Sequence, residues 1–141
     1  MYAWFRKNLD RKERGFTLIE LVVVLAIIAI LIAAAVPLYL GARKKAYKAE
    51  ADNALQELKT MLWAYYQQNA SFPATGSWSG TPSADSNTGF QAPQSSFWSY
   101  SYTGTGSTVT MVATGTNPPV SGNHVSVILK SDGSSSSTAD F

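Results

Sequence analysis

Hydrophobic and polar positions divide the chain into two regimes. Over residues 21–36 sixteen consecutive side chains are apolar, and from Phe16 the run covers 25 positions to Leu40, with Thr17 and Glu20 its only strongly polar members. A helix needs about 20 such residues to cross about 30 Å of hydrocarbon, so the run predicts a membrane-spanning helix. Beyond it, Ala51, Leu55, Leu58, Leu62 and Tyr65 recur at spacings of four, three, four and three, while Glu50, Asp52, Glu57 and Lys59 fall outside that series. This is one apolar stripe with the period of an α-helix, as an amphipathic helix requires. Between the two patterns only Gly41 is a strong breaker, so a single helix is predicted from about Phe16 to Gln68. At about 1.5 Å per residue it would be roughly 80 Å long, with under half of that in a bilayer. The remainder has to pack on something.

The helix is expected to close around Asn69, which tolerates the left-handed position, before Phe72 is turned away from helix by Pro73. Residues 71–95, rich in Ser, Thr, Gly and Pro, read as a long connection. Three alternating runs then read as strands. Residues 97–103 place Trp98, Tyr100 and Tyr102 on one face, residues 108–114 do the same with Val109, Met111 and Ala113, and residues 125–130 with Val125, Val127 and Leu129. Residues 134–137, all serine, read as a flexible, disordered tail. The expected fold is α+β: one long N-terminal helix packed against a small antiparallel sheet of about three strands that covers the stripe. A core of that size is near the limit of independent stability, so the sheet needs the helix beneath it.

Charge sharpens the division. Arg6, Lys7, Arg11, Lys12 and Arg14 stand against Asp10 and Glu13 in residues 1–15, whereas the other 126 residues hold six basic and seven acidic side chains. The net charge of +2 therefore belongs to a basic leader. Five basic residues before the apolar run against four after it, Arg43, Lys44, Lys45 and Lys48, do not by themselves orient the helix. With no cysteine, disulfides, thiolate metal sites and a Cys nucleophile are excluded. An extracytoplasmic location stays open, since oxidising compartments permit disulfides without requiring them. Of residues 71–141, 27 are Ser or Thr and the only charges are Asp85, Lys130, Asp132 and Asp140, so the outer surface is polar but nearly uncharged. Ala33-Ala34-Ala35 imitates an ordinary signal-peptide cleavage site; the length of the run, its carboxylate and its helical continuation argue against that reading.

The residues Gly15-Phe16-Thr17-Leu18-Ile19-Glu20, preceded by the basic leader and followed by the apolar run to Pro37, closely resemble the class III signal of type IV pilins and pseudopilins. The resemblance covers residues 6 to about 69; beyond that it is one of architecture alone. It implies that a prepilin peptidase cuts between Gly15 and Phe16 on the cytoplasmic side, and that the new Phe16 amine is methylated. The segments it implies are a removed leader, 1–15; a transmembrane half of the helix, 16–41; an amphipathic half, 42–70; and a Ser/Thr-rich sheet head, 71–141. Gly15 would let an extended backbone enter an active site at the membrane edge, or would merely start the helix.

In the family the carboxylate at Glu20 is taken to neutralise the Phe16 amine of a neighbouring subunit and so set the axial stagger. A free α-amino group is mostly cationic near neutral pH, and an ionised carboxylate in hydrocarbon needs a partner or an aqueous route. The alternative is that Glu20 reaches interfacial water and does nothing further. Pro37 removes a donor and disturbs the bond to the carbonyl of Ala33, giving a kink or local melting that either serves assembly or is harmless. Two departures from the family's commonest pattern are a longer leader containing Tyr2, Trp4 and Phe5, and a C-terminal loop that no disulfide can close.

Arg43, Lys44, Lys45 and Lys48 suit lipid phosphates or the acidic residues of another subunit, and DNA if a filament serves uptake. No catalytic site is expected: His124 is the only histidine, no glycine-rich loop has phosphate-binding spacing, and the later carboxylates are scattered. No cofactor or metal is implied. Trp98, Tyr100 and Tyr102 could line a carbohydrate face, but alternating aromatics first suggest sheet core.

The sequence therefore predicts a structural subunit of a type IV pilus, with a type II secretion pseudopilin or minor pilin as the alternative. A monomeric membrane-tethered binding module is the second alternative. Expected partners are other copies of the chain, the prepilin peptidase and methyltransferase, inner-membrane assembly machinery, and lipid before assembly. The expected location is the inner membrane as precursor, then a periplasm-spanning or extracellular filament on the cell surface.

Overall fold

In the computed structural model, which describes residues 15–79, 84–94 and 96–141, helix α1 runs Leu18–Asn69 with Pro37 inside it. The basic leader over residues 1–14 lies outside the described residues. The chain divides into two compact units between Leu40 and Gly41. In the first, every described residue is exposed, and large apolar side chains point outward around the whole circumference of the helix. Its most apolar 18-residue stretch has a mean hydropathy of 3.2, long and apolar enough to cross a membrane.

The second unit combines the rest of α1 with a five-stranded antiparallel sheet, β1 Thr75–Ser79, β2 Trp98–Gly104, β3 Thr108–Gly115, β4 His124–Lys130 and β5 Ser135–Asp140, in that spatial order. Burial follows the period-2 pattern read from sequence: Trp98, Tyr100 and Tyr102 of β2, Val109, Met111 and Ala113 of β3, and Val125, Val127 and Leu129 of β4 all face the core. Ala51, Leu55, Leu58 and Leu62 of α1 meet them, joined by Ala54, while Tyr65 is only half-buried. Each fully buried Leu contributes about 1.5–3 kcal/mol of hydrophobic stabilisation, so this stripe is what fastens the sheet.

The sheet has five strands rather than about three, and both additions correct the sequence reading. Part of the segment read as a connection is β1, whose Gly76 pairs with Tyr102. A Cβ on Gly76 would lie 2.5 Å from Tyr102 Cε1, so the aromatic ring takes the space where an apolar side chain would have announced a strand. The segment read as a disordered tail is β5, held along β4 from Ser135↔Leu129 to Asp140↔His124. Its Ser135, Ser137 and Ala139 share the core-facing side with Leu129, Val127 and Val125, yet all are exposed. The strand is fixed by backbone pairing and by side-chain bonds, Ser126 Oγ to Thr138 Oγ1 at 2.7 Å and Lys59 Nζ to Ser135 Oγ at 3.4 Å among them, rather than by apolar burial.

The helix ends at Asn69, but the left-handed residue is Ala70, at φ 54°, rather than Asn69. The Asn69 side chain instead donates to the Tyr65 carbonyl at 2.9 Å, and Ala70 N–H to the Tyr66 carbonyl at 2.8 Å, which satisfies the first of the carbonyls that the helix end leaves open. On the outer face the register lines up Ser77, Ser101, Val112, Ser126 and Thr138 across the strands, beside Thr75, Thr103, Thr110, Ile128 and Ser136. That face is a sheet of hydroxyls with few charges.

Candidate functional site

The start of α1 is built by a reciprocal cap. Thr17 N–H and Thr17 Oγ1 donate to Glu20 Oε2 at 2.9 and 2.7 Å, and Glu20 N–H donates to Thr17 Oγ1 at 3.3 Å. Thr17 is the residue before the first helical turn and Glu20 the third residue within it, so the pair forms a capping box that satisfies two open backbone donors. Leu21 N–H reaches the Thr17 carbonyl at 3.2 Å, the first bond of the helix. Sequence reasoning assigned Glu20 an intersubunit role and missed this local one. The signal was present in the spacing Thr17-Leu18-Ile19-Glu20 ahead of an apolar run.

The cap fixes the carboxylate close to the peptide that the family signal marks. Both bonds that Thr17 donates to the carboxylate reach Oε2. Phe16 is 87% exposed, and no atom lies within 4 Å of the place a Cβ on Gly15 would occupy.

The basic cluster opens the second unit. Arg43 Nη2 donates to Tyr47 OH at 3.4 Å, and its guanidinium stands 5.7 Å from the centre of the Tyr47 ring. Lys48 pairs with Asp52 at 2.7 Å and also lies 6.0 Å from the Phe141 ring centre. Lys44 and Lys45 are exposed. The Lys48–Asp52 pair is half-exposed and spaced one helical turn, an arrangement worth only a few tenths of a kcal/mol, about 0.3–0.5.

Asp85 is occupied structurally. Asp85 Oδ2 accepts from Thr88 N–H at 2.8 Å, Thr88 Oγ1 at 2.7 Å and Tyr102 OH at 3.2 Å, tying the loop before β2 to the sheet. Burial, ahead of the other influences, pushes the Tyr102 hydroxyl above its ordinary pKa. His124 is the exposed first residue of β4, and its backbone N–H donates to the Asp140 carboxylate. Among the described residues no group of three or more His, Cys, Asp or Glu side chains converges as a metal site would.

Comparison with known proteins falls on the same N-terminal half. Residues 10–36 match the family described as the prokaryotic N-terminal methylation motif. The type II secretion system core protein G of Dickeya chrysanthemi is 36% identical over 67 residues, 48% of this chain and 44% of that protein. Its counterpart in Escherichia coli K12 is 39% identical over 64 residues, 45% of this chain and 44% of that protein. The type IV major pilin protein PilE1 of Neisseria gonorrhoeae is 35% identical over 75 residues, 53% of this chain and 46% of that protein. The chain thus spans a little under half the length of these curated relatives, and no solved structure gives a significant match. The similarity to these type II secretion and type IV pilin proteins covers about half of this chain, and they are of the class that the residues around Gly15 resemble.

Proposed function

We propose that this chain is the precursor of a structural filament subunit, a type IV pilin, rather than an enzyme. A prepilin peptidase removes residues 1–15 by cutting between Gly15 and Phe16, and the Phe16 amine is methylated. The mature chain then leaves the inner membrane for a helical filament of its own copies. In this reading 16–41 is the membrane half of the helix, 42–70 the amphipathic half and 71–141 the head. The observation that carries it is the Thr17–Glu20 cap at the mouth of an all-round apolar helix, inside the matched methylation motif.

The cap suits Glu20 to its assembly role. One oxygen is held by Thr17, so the carboxylate is oriented before any partner arrives, and its other oxygen is the one to take the Phe16 amine of a neighbour. Such a pair adds little net stability when buried, but leaving either charge alone in hydrocarbon is costly, so the pair selects one register. Pro37 supplies a weak point at which the helix yields during assembly, its missing N–H having left the Ala33 carbonyl without a partner.

A pseudopilin of a type II secretion system is the second reading, favoured by the matches to core protein G. The test begins with surface filaments and the N-terminus and mass of this chain within them. A methylated Phe16 in abundant filaments supports the pilin. A methylated Phe16 on chains confined to the cell envelope, with secretion failing when the chain is removed, supports the pseudopilin. An intact Met1 on monomeric membrane protein sinks both and leaves a tethered module.

A further inference from the structure

We propose that the first turns of the second unit, residues 43–48, together with the aromatic rings gathered on them, bind the anionic phosphate headgroups of the bilayer. The proposal rests on the reading of the apolar run as a membrane span. Arg43 is the third residue after Leu40, the last of that run, and no carboxylate occurs between Gly41 and Glu50. Extended chain reaches at most about 3.6 Å per residue, which keeps Arg43 within roughly 11 Å of the hydrocarbon boundary.

The angular spread of the charges separates lipid from a protein partner. At about 100° per residue, Arg43, Lys44, Lys48 and Lys45 fall near 0°, 100°, 140° and 200° around the helix. They occupy more than half its circumference within about 7.5 Å of axial rise. A protein surface engages one side of a helix, whereas this ring suits a layer that surrounds it. The headgroup region of one leaflet is about 5–7.5 Å thick, the same depth as the ring.

The aromatic side chains complete an interfacial site. The Arg43 guanidinium rests against Tyr47, whose ring centre is 4.4 Å from that of Phe97. Trp98 Nε1 donates to the Tyr47 carbonyl at 3.1 Å, and the Phe141 ring lies 6.0 Å from Trp98 with Lys48 beside it. Phe141 is 47% exposed, an apolar ring with the Lys48 ammonium beside it, whereas Trp98 is buried and serves to hold Tyr47 in place. A half-buried Tyr beside an Arg, with an exposed apolar ring next to a Lys, is a composition that membrane–water interfaces select.

The test uses the full chain reconstituted in phosphatidylcholine bilayers that contain a trace of spin-labelled phosphatidylglycerol or spin-labelled phosphatidylcholine. The readout is the relative affinity of the two lipids for the first shell around the protein. Phosphatidylglycerol is expected to be preferred. Each neutralised charge should reduce that preference about fivefold at low salt, so R43Q/K44Q/K45Q lowers it on the order of a hundredfold or to parity. Phe141→Ser should weaken it with the charges intact, and salt should screen it.

Equal affinity of both lipids in the unaltered chain overturns the proposal. So does a preference unchanged in the triple variant, which would assign it to the basic leader, or one displaced by duplex DNA or by raising the protein-to-lipid ratio, which would assign the cluster to nucleic acid or to a second copy. A chain that restricts neither lipid, and that alkaline washing releases, removes the span itself. Filament yield is scored separately, so the pilin reading and this one can fail independently.

Discussion

Replacing Tyr100 with phenylalanine is expected to stabilise the second unit. The Tyr100 side chain is 1% exposed, and among the described residues its hydroxyl has no hydrogen-bond partner. A hydroxyl buried without a bond costs about 1–3 kcal/mol by mutational measurement, while the ring keeps its packing, including the edge-on contact with Phe90 at 6.3 Å. A gain of about 1–2 kcal/mol follows, and each kcal/mol raises the melting temperature of a domain this size by about 4–8 °C. Thermal and urea unfolding of the full chain in detergent measures it.

A second signature comes from pH. Burial, and after it the charge of Glu50, pushes the Tyr100 hydroxyl well above the ordinary tyrosine range. Both states keep the proton below pH about 10, so the native protein's stability is unaffected there; above that the unfolded chain ionises first and stability falls. Tyr100→Phe lacks this component, so its advantage should widen between pH ~9 and ~11. A loss of more than about 0.5 kcal/mol in the variant, or an advantage that stays flat across that interval, would refute the reasoning.

Three further outcomes are expected. Gly104→Ala places a Cβ 2.1 Å from the Pro73 carbonyl oxygen and should cost about 3 kcal/mol, whereas Gly122→Ala meets open space and should cost only about 1–2 kcal/mol for its φ of +81°; unfolding measurements that reverse this order would contradict both. The hydroxyl and amide of Ser134 hold the Asp132 carboxyl below its ordinary pKa, so the support it gives the β4–β5 turn is present at neutral pH and disappears as pH falls through that lowered value. A carboxyl chemical-shift titration of Asp132 with an ordinary midpoint would count against it. Glu20→Ala should leave cleavage at Gly15 intact and reduce filament yield, and Thr17→Val, which keeps the carboxylate and its bond from the backbone N–H but loses both hydroxyl bonds, should reduce yield less. Abundant full-length filaments from Glu20→Ala would defeat the register role.

Where burial writes a pattern into the chain, the pattern was readable. The stripe Ala51, Leu55, Leu58, Leu62 and the alternating residues of β2, β3 and β4 are buried as their spacing requires. β1 escaped because Gly76 yields its place to Tyr102, and β5 because its core-facing positions are the exposed Ser135, Ser137 and Ala139. Strands held by ladder hydrogen bonds leave little trace in side-chain chemistry. At the N-terminus the difficulty was the reverse. Glu20 carried so specific a family signal that the equally local Thr17–Glu20 spacing went unread.

Strand order in the sheet is also strand order in the chain, with connections over residues 80–97, 105–107, 116–123 and 131–134. Each strand therefore finds its partner in the one synthesised just before it, and no long crossover has to close. Folding rates rise as contacts become local, so this arrangement favours rapid, stepwise growth of the sheet from one hairpin to the next. β4 supplies the last buried row, and β5 adds onto a template whose interior is already complete. The second unit can in this way cover its hydrophobic interior before β5 has been made.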